Sequence, residues 1–296
     1  MSKRVLFLFN PRSGKGKIKE NLADIIDVMV KAGYEVTVYT TQSAGDAVQK
    51  ARTEAGNYDR IICSGGDGTL DEVVTGVMAS GISVPIGYIP AGSTNDFAAS
   101  LDLPTDLLDA AREIVEGEVH HFDLGMLNER YFSYVACCGA FAKTSYGTPQ
   151  NVKNILGHLA YLLNGVKDLP SFQKIHIKID TDEQSYDGNY IYCGVSNSTN
   201  LGGVIKLDQS LGDMSDGLFE VMMIKSPTNP LELEKIVRAL LSSNYHDCPM
   251  IEFVRTRTAD FYFDSYVPWS IDGEYDPGAM HVHITNLPSA LSLMKR

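Results

Sequence analysis

The segment Cys63–Leu70, which reads CSGGDGTL, has the residue types best suited to chemistry in this chain. Its glycines let the backbone approach a ligand closely, and the helix predicted to follow it would attract an anion with its first amides. Asp67 would repel a phosphate unless a cation lies between them. The segment therefore predicts metal-assisted phosphate chemistry, although an ordinary strand-to-helix turn would use glycine as well.

Four other segments carry polar residues with similar potential. Asn10–Lys17 (NPRSGKGK) offers backbone amides, a hydroxyl and a lysine but lacks the spacing of a Walker A loop. Pro90–Ala98 (PAGSTNDFA) contains a second carboxylate, and Ser93 or Thr94 is a candidate helix cap. Phe122–Gly125 contains a third carboxylate, and Ile271–Glu274 (IDGE) resembles a turn followed by an acid.

Alternating strands and helices would position three of the segments: Asn10–Lys17, Cys63–Leu70 and Pro90–Ala98. Strands are predicted at Val5–Phe9, Glu35–Thr41, Arg60–Cys63 and Val84–Ile89, with helices over 18–30, 45–55, 69–79 and 106–116. Such alternation indicates right-handed crossovers and a parallel sheet, whose ligands bind at the carboxyl ends of the strands. Because each of the three segments follows a strand, we expect them at one edge of the sheet.

From about Phe122 the pattern changes to alternating strands with hairpin signals. Strands are predicted at Lys174–Ile179, Tyr190–Val195, Leu218–Ile224, Ile251–Val254, Asp260–Phe263 and His281–Ile284, with helices at Asn151–Val166 and Leu231–Leu241. This pattern predicts an antiparallel sandwich. The expected fold is an α/β nucleotide-binding domain with a parallel sheet, then an all-β domain, with the active site in the cleft between them.

Composition narrows the class of protein. The 296 residues carry a net charge of −12, which argues against a nucleic-acid partner. Five cysteines, an odd number, form no Cys-x-x-Cys pair, so buried free thiols in a reducing cytosol are expected. The apolar run at the N-terminus is too short for a signal peptide, and no stretch is long enough for a transmembrane helix. We expect a soluble cytoplasmic protein, at most peripheral to a membrane.

Four motifs together resemble the bacterial diacylglycerol kinases and related lipid kinases: Asn10–Gly16, Gly65–Glu72, Pro90–Ala98 and Asp272–Glu274. The resemblance spans nearly the whole chain, and only the glycine-rich motif is shared with NAD kinases and phosphofructokinases. It implies an ATP-binding domain at 1–124, completed by 286–296, and a lipid-substrate domain at 125–285. It also implies a cleft that takes ATP, magnesium and a lipid alcohol, in which diacylglycerol is converted to phosphatidic acid.

The resemblance implies a role for each matching residue. The ATP contacts would be Asn10, Pro11, Arg12, Ser13, Gly14, Thr41, Gly66, Asp67, Gly68, Thr69, Leu70, Asp71, Glu72 and Ser93. Lys15 would neutralise phosphate charge. Asp67, Asp96 and Asp123 would form a carboxylate network around the catalytic magnesium, with Asp67 acting through water. Glu274 would be the general base that takes the proton from the lipid hydroxyl.

A second, structural magnesium is implied in the segment Asp213–Leu218, held by the carbonyls of Asp213 and Leu218 and the carboxylate of Asp216. An ordinary surface turn accounts for the same residues. The chain departs from the family pattern where Ser93 replaces threonine and where Asp71 and Thr75 replace asparagine. Asp71 adds a negative charge beside the phosphate loop, but no residue that the chemistry requires is missing.

Two classes of alternative stay open at this point. The first is a different kinase, either a soluble small-molecule kinase of the NAD kinase type or a kinase that uses another lipid alcohol. The other is a nucleotide-binding regulatory protein without catalysis, which the retained carboxylates and base disfavour. The expected partner is a lipid at a membrane surface, and the sequence leaves a homodimer open.

Overall fold

The computed structural model describes residues 3–140, 174–198, 200–201, 205–206, 213–242, 244–245 and 247–296. It divides into two compact units, one of Met1–Asp123 with Pro288–Arg296 and one of Leu124–Leu287. The sequence predicts the corresponding domain boundaries one residue later, between 124 and 125, and two residues earlier, between 285 and 286. Within the described residues, none of the helices is both long and apolar enough to cross a bilayer.

The first unit is built on four parallel strands. They are β1 (Lys3–Phe9), β2 (Tyr34–Thr40), β3 (Arg60–Gly65) and β4 (Ile86–Pro90), in the spatial order β4-β3-β1-β2. Phe7 of β1 lies opposite Val38 on one side and Ile62 on the other. Residues 5–9 are all buried, as the unbroken apolar run predicts for a strand with both faces covered.

Five helices belong to this unit: α1 (Lys17–Lys31), α2 (Asp46–Glu54), α3 (Asp67–Ser80), α4 (Asp96–Ser100) and α5 (Leu107–Glu116). α1 buries Ile18, Ile25 and Met29, which recur at helical spacing. α5 begins where the Asp106 carboxylate accepts the amides of Leu108 and Asp109 at 3.0 and 3.1 Å.

Two long strands contribute to both units: β5 (Glu118–Leu127) and β17 (His281–Lys295). In the first unit Leu293 of β17 lies parallel to Ile86 of β4. Leu291, Leu293 and Met294 are buried there. The sequence predicted only His281–Ile284 as strand, so the extension of β17 is a correction, and β5 was not predicted.

The second unit is antiparallel and β-rich. Among its described residues the other strands are β6 (Arg130–Phe132), β7 (Val135–Gly139), β8 (Ile175–Thr181), β9 (Ser185–Ser196), β10 (Asn200–Leu201), β11 (Ile205–Lys206), β12 (Phe219–Lys225), β13 (Ile251–Thr256), β14 (Thr258–Phe263), β15 (Trp269–Ile271) and β16 (Glu274–Asp276), and they include one helix, α6 (Pro230–Ser242). The main path runs β16-β15-β7-β9-β8-β14-β17, and β12 pairs with β9 and β13.

The core of this unit centres on Trp269, which is fully buried. The rings of Phe261 and Phe263 meet it edge-on, with centroids 5.2 and 6.3 Å away. The predicted fold class, a parallel α/β part followed by an antiparallel β-rich part, is confirmed. The helix predicted at Asn151–Val166 lies outside the described residues.

Candidate active site

The carboxyl ends of the first unit's four strands bring the predicted loops together. The Asn10 amide, just after β1, donates to the Ser64 carbonyl on β3 at 2.9 Å. The Ala91 amide, just after β4, donates to the Gly65 carbonyl at 2.7 Å. The Thr41 amide, just after β2, donates to the Phe9 carbonyl at 3.0 Å. Segments far apart in sequence thus lie side by side at one edge of the sheet.

Glycine allows three of these loops to touch through their backbones. Gly14 has a φ of +56°, and a Cβ there would lie 2.3 Å from the Ala91 carbonyl oxygen. A Cβ on Gly92 would lie 2.5 Å from the Cα of Gly66. No side chain fits at these contacts, and Gly66 is also the N-cap of α3. The result is a backbone-lined surface at a helix N-terminus, which suits a phosphate group.

Asp67 lies in the first turn of α3 and reaches the start of α4. Its carboxylate accepts the amides of Asp96 and Phe97 at 3.3 and 3.4 Å, so it caps that short helix. The expected cap by Ser93 or Thr94 is therefore wrong, because the N-cap of α4 is Asn95, without a side-chain cap bond. The exact start of α3 also differs from the predicted Thr69, so Asp67 belongs to the helix rather than to the loop.

Asp67 and Asp96 form a pair of half-buried carboxyl groups. Burial raises the pKa of Asp67, and the surrounding backbone amides oppose that rise. Burial and the neighbouring Asp67 raise the pKa of Asp96 to about 6. Two carboxylates that disfavour each other's ionisation are well placed to share a cation, which would reverse the effect.

Asn95 is a structural residue of the site that the sequence reasoning did not single out. It has a φ of +53°, which asparagine tolerates better than most residues. Its Oδ1 accepts the Gly92 amide at 2.8 Å, and its Nδ2 donates to the Gly92 carbonyl at 3.2 Å. Asn95 therefore folds the loop after β4 back against Gly66. The signal in the sequence was an asparagine next to the turn-prone Gly92-Ser93-Thr94 run.

Glu72, one of the predicted ATP contacts, accepts hydrogen bonds from backbone amides of the protein. Its two carboxylate oxygens accept the amides of Gly45 and Ala47 at 2.8 and 3.2 Å. These amides belong to the start of α2, so Glu72 ties that helix start to α3. Nearby, Asp46 accepts the hydroxyl of Tyr39 and the amide of Gln42 at 3.0 and 2.7 Å. Together these bonds fix the loop that contains Thr41.

Asp123 and Lys15 complete the predicted set in the first unit. Asp123 is fully buried on β5, and its Oδ1 accepts the amide of Ser289 at 2.8 Å. This bond fastens the returning segment of β17 to the first unit. Lys15 lies in a single 3-10 turn, Ser13–Gly16, and its side chain is outside what the structure describes. Among the described residues, no three acidic, histidine or cysteine side chains converge as a metal centre.

The predicted structural-metal loop in the second unit has its own network. Asp216 Oδ1 accepts the amide of Leu218 at 2.9 Å, and its Oδ2 pairs with Arg255. Asp213 Oδ1 accepts the amide and hydroxyl of Ser215 at 2.9 and 2.6 Å. Hydrogen bonds within the protein therefore shape this loop into Asx turns without the help of a metal ion.

Glu220 is a buried carboxyl group close to that loop. The Arg255 Nε donates to its Oε1 at 3.2 Å, whereas Oε2 is buried without a hydrogen-bond partner in the described part of the chain. Burial raises its pKa to about 8, an effect that Arg255 partly opposes and Asp216 reinforces. No local pattern in the sequence marks this group, because Glu220 lies within a strand whose other residues up to Ile224 are apolar.

Glu274, the predicted base, begins β16 after a tight turn. Ile271 lies opposite Glu274, and the two residues between them, Asp272 and Gly273, both have positive φ, +47° and +83°. This is the conformation of a type I′ hairpin turn, for which Asp-Gly is a preferred pair. The Glu274 side chain is 54% exposed, and its Oε2 accepts a hydrogen bond from Arg130 at 2.8 Å.

Two family models match the chain. The diacylglycerol kinase catalytic domain matches residues 4–127, and the YegS C-terminal NAD kinase beta sandwich-like domain matches residues 139–295. A crystal structure of a diacylglycerol kinase from Bacillus anthracis str. Sterne superposes with a TM-score of 0.75 at 22% identity, covering 99% of this chain and 97% of that one. A second structure from the same organism reaches 0.82 at 24% identity, covering 99% and 95%. At these identities the superpositions establish the fold.

Curated relatives are more similar in sequence. The diacylglycerol kinase of Staphylococcus saprophyticus is 33% identical over 276 residues, which cover 93% of this chain and 90% of that protein. The diacylglycerol kinase of Staphylococcus aureus strain MRSA252 is 33% identical over 290 residues, with 97% and 90% coverage. The chain belongs to the diacylglycerol kinase family and is a lipid kinase.

Proposed function

We propose that the protein transfers the γ-phosphoryl group of ATP, with magnesium, to the hydroxyl of diacylglycerol and forms phosphatidic acid. The observation that carries this proposal is the Asp67–Asp96 carboxyl pair, set beside the backbone contacts of Gly14, Gly66 and Gly92. Phosphoryl transfer depends mainly on positioning and charge neutralisation; the backbone-lined loops would supply the first, and a cation held by the carboxyl pair would supply the second.

The donor side of the reaction rests on the loops of the first unit. Asn10–Gly14, Thr41, Gly66–Asp71 and Ser93 would contact ATP, with the amides at the start of α3 facing its phosphates. Glu72 supports this surface indirectly, because it fixes the amides of Gly45 and Ala47 beside Thr41. Lys15 would add positive charge to the first loop.

Magnesium fits the residues present. Asp67 and Asp96 offer oxygen ligands of the type it prefers, and burial together with the neighbouring Asp67 raises the pKa of Asp96 to about 6, an effect that a bound cation would oppose. When bound, the ion would neutralise charge on the transferred phosphoryl group. Asp123 would contribute from β5 while it holds Ser289 in place.

A second magnesium is proposed at Asp213, Asp216 and Leu218. The buried Oε2 of Glu220, which has no hydrogen-bond partner among the described residues, is the observation that favours a cation there. Asp216 already pairs with Arg255, so this arginine would share or exchange its partner when the ion binds.

The acceptor side rests on Glu274. Its carboxylate would take the proton from the lipid hydroxyl, the hydroxyl oxygen would form a bond to the γ-phosphorus, and the bond to the bridging oxygen would break to release ADP. Because the proposed acceptor is a lipid, we propose that the enzyme binds peripherally to a membrane surface when it acts.

The test is transfer of labelled phosphate from ATP to a panel of lipids in mixed micelles, with and without magnesium, and with NAD as a soluble acceptor. We expect labelled phosphatidic acid from diacylglycerol and none from NAD. Glu274→Gln should lower the rate by about 100- to 10,000-fold, the usual contribution of a general base. Labelling of NAD alone, or an unimpaired Glu274→Gln variant, would exclude the corresponding part of the proposal.

A further inference from the structure

The hairpin that carries Glu274 is fastened to a neighbouring stretch of backbone in the second unit. The Asp272 carboxylate accepts the amides of Ser133, Tyr134 and Val135 at 2.5, 3.1 and 2.9 Å. The Asp272 amide donates in return to the Val135 carbonyl at 2.9 Å. Because Asp272 is buried and lies in the turn itself, these bonds fix the position of the backbone from which Glu274 projects.

Arg130 holds the other side of the same hairpin. Its Nη2 donates to Glu274 Oε2 at 2.8 Å, and its Nη1 donates to the Tyr275 carbonyl at 3.2 Å. The Nη1 also lies 3.6 Å from an Asp276 carboxylate oxygen. One planar guanidinium therefore contacts three consecutive residues, an arrangement that a lysine ammonium cannot reproduce.

The backbone of Arg130 is itself well anchored. Arg130 pairs with Leu127 across a tight turn, and Asn128 in that turn has a φ of +52°. The Asn128 amide donates to the His283 carbonyl at 2.8 Å, and the His283 amide donates to Asn128 Oδ1 at 2.9 Å. Strand β17 thus restrains the turn, and the guanidinium extends from a fixed point.

We infer that Arg130 is a positioning residue that sets the orientation of the Glu274 carboxylate for proton abstraction. Arg130 occupies Oε2, whereas Oε1 accepts no hydrogen bond from the described residues and is left for an acceptor hydroxyl. Without Arg130 the exposed Glu274 side chain would be free to sample several rotamers. This inference rests on the proposed role of Glu274 as the base.

The experiment compares Arg130→Gln, Arg130→Lys, Glu274→Gln and the double variant in the lipid phosphorylation assay. Arg130→Gln should lower kcat by about 10- to 100-fold, the scale expected when a reacting group is misplaced by roughly 1 Å, with the KM for ATP unchanged. Arg130→Lys should recover only part of the loss. Arg238→Gln is the control, because Arg238 forms an exposed pair with Glu234 at 2.6 Å on α6.

The double variant separates positioning from general stabilisation. If Arg130 acts only through Glu274, adding Arg130→Gln to Glu274→Gln should cause no further loss. A further loss of tenfold or more, or an unchanged kcat in Arg130→Gln, would overturn the inference. Should Arg130→Gln fail to fold, Arg130→Lys decides by the same comparison of single and double variants. Full activity in Glu274→Gln would instead remove the base assignment itself.

Discussion

Replacing Gly14 with alanine probes the backbone contact between the first loop and the loop after β4. A Cβ on Gly14 would lie 2.3 Å from the Ala91 carbonyl oxygen, where ordinary carbon–oxygen contacts begin at about 3.3 Å. The obstacle is backbone, so no side chain can rotate away. The two loops would have to separate by about 1 Å to relieve the overlap.

Gly33→Ala is a matched control for the free-energy cost of placing alanine in a left-handed backbone conformation. Gly33 has a φ of +86°, but a Cβ there would meet no atom of the described residues within 4 Å. Its substitution should cost about 1–2 kcal/mol for a left-handed conformation. Gly14→Ala should cost that amount plus about 1–3 kcal/mol for overpacking. The difference between the two variants isolates the contact with Ala91.

Two measurements check this prediction. Urea unfolding followed by far-UV circular dichroism should show the larger loss of stability in Gly14→Ala. Because the loops would separate, kcat/KM for ATP should fall on the order of 100-fold in Gly14→Ala and stay unchanged in Gly33→Ala. Equal stability and equal kcat/KM in the two variants would refute the reasoning.

Four other outcomes are expected. Asp272→Ala should lower the free energy of unfolding by roughly 3–5 kcal/mol, because three backbone amides lose a buried charged acceptor; a loss below 1 kcal/mol in urea would contradict this. Phe261→Ala should cost about 3–5 kcal/mol and shift the fluorescence of Trp269, the only tryptophan, toward that of exposed indole. Magnesium at about ten times its Kd should stabilise the nucleotide-free protein by about 1.4 kcal/mol, and Asp67→Asn should reduce that gain in thermal unfolding. Burial raises the pKa of Cys137 to about 12, so its thiol should react with a disulfide reagent only after denaturation.

The sequence predicted the loops of the first unit because their signals are local. A buried apolar strand followed by glycine and polar residues identifies the carboxyl edge of a parallel sheet without any long-range information. Glu274 was different, since a turn and an acid carry little meaning alone. Its assignment came from the resemblance and stays a prediction.

Long-range contacts explain what the sequence did not reveal. Arg130 and Glu274 are far apart in the chain, and neither has a local feature that pairs it with the other. Asp67 fulfils a helix-capping role that Ser93 or Thr94 would have filled by local rules. The predicted strand His281–Ile284 covers only the first part of β17, which continues through Pro288, a residue that central strands usually exclude.

The extension of β17 makes the two units depend on each other during synthesis. Leu291, Leu293 and Met294 are buried in the first unit, yet they follow the whole of Leu124–Leu287 in the chain. The ribosome must therefore complete the second unit before the first can close its core. Until then β4 lacks its pairing with Leu293, and the Asp123 carboxylate lacks the hydrogen bond from the Ser289 amide. We expect the loops at the carboxyl ends of β1, β3 and β4 to become ordered last, although they are encoded first.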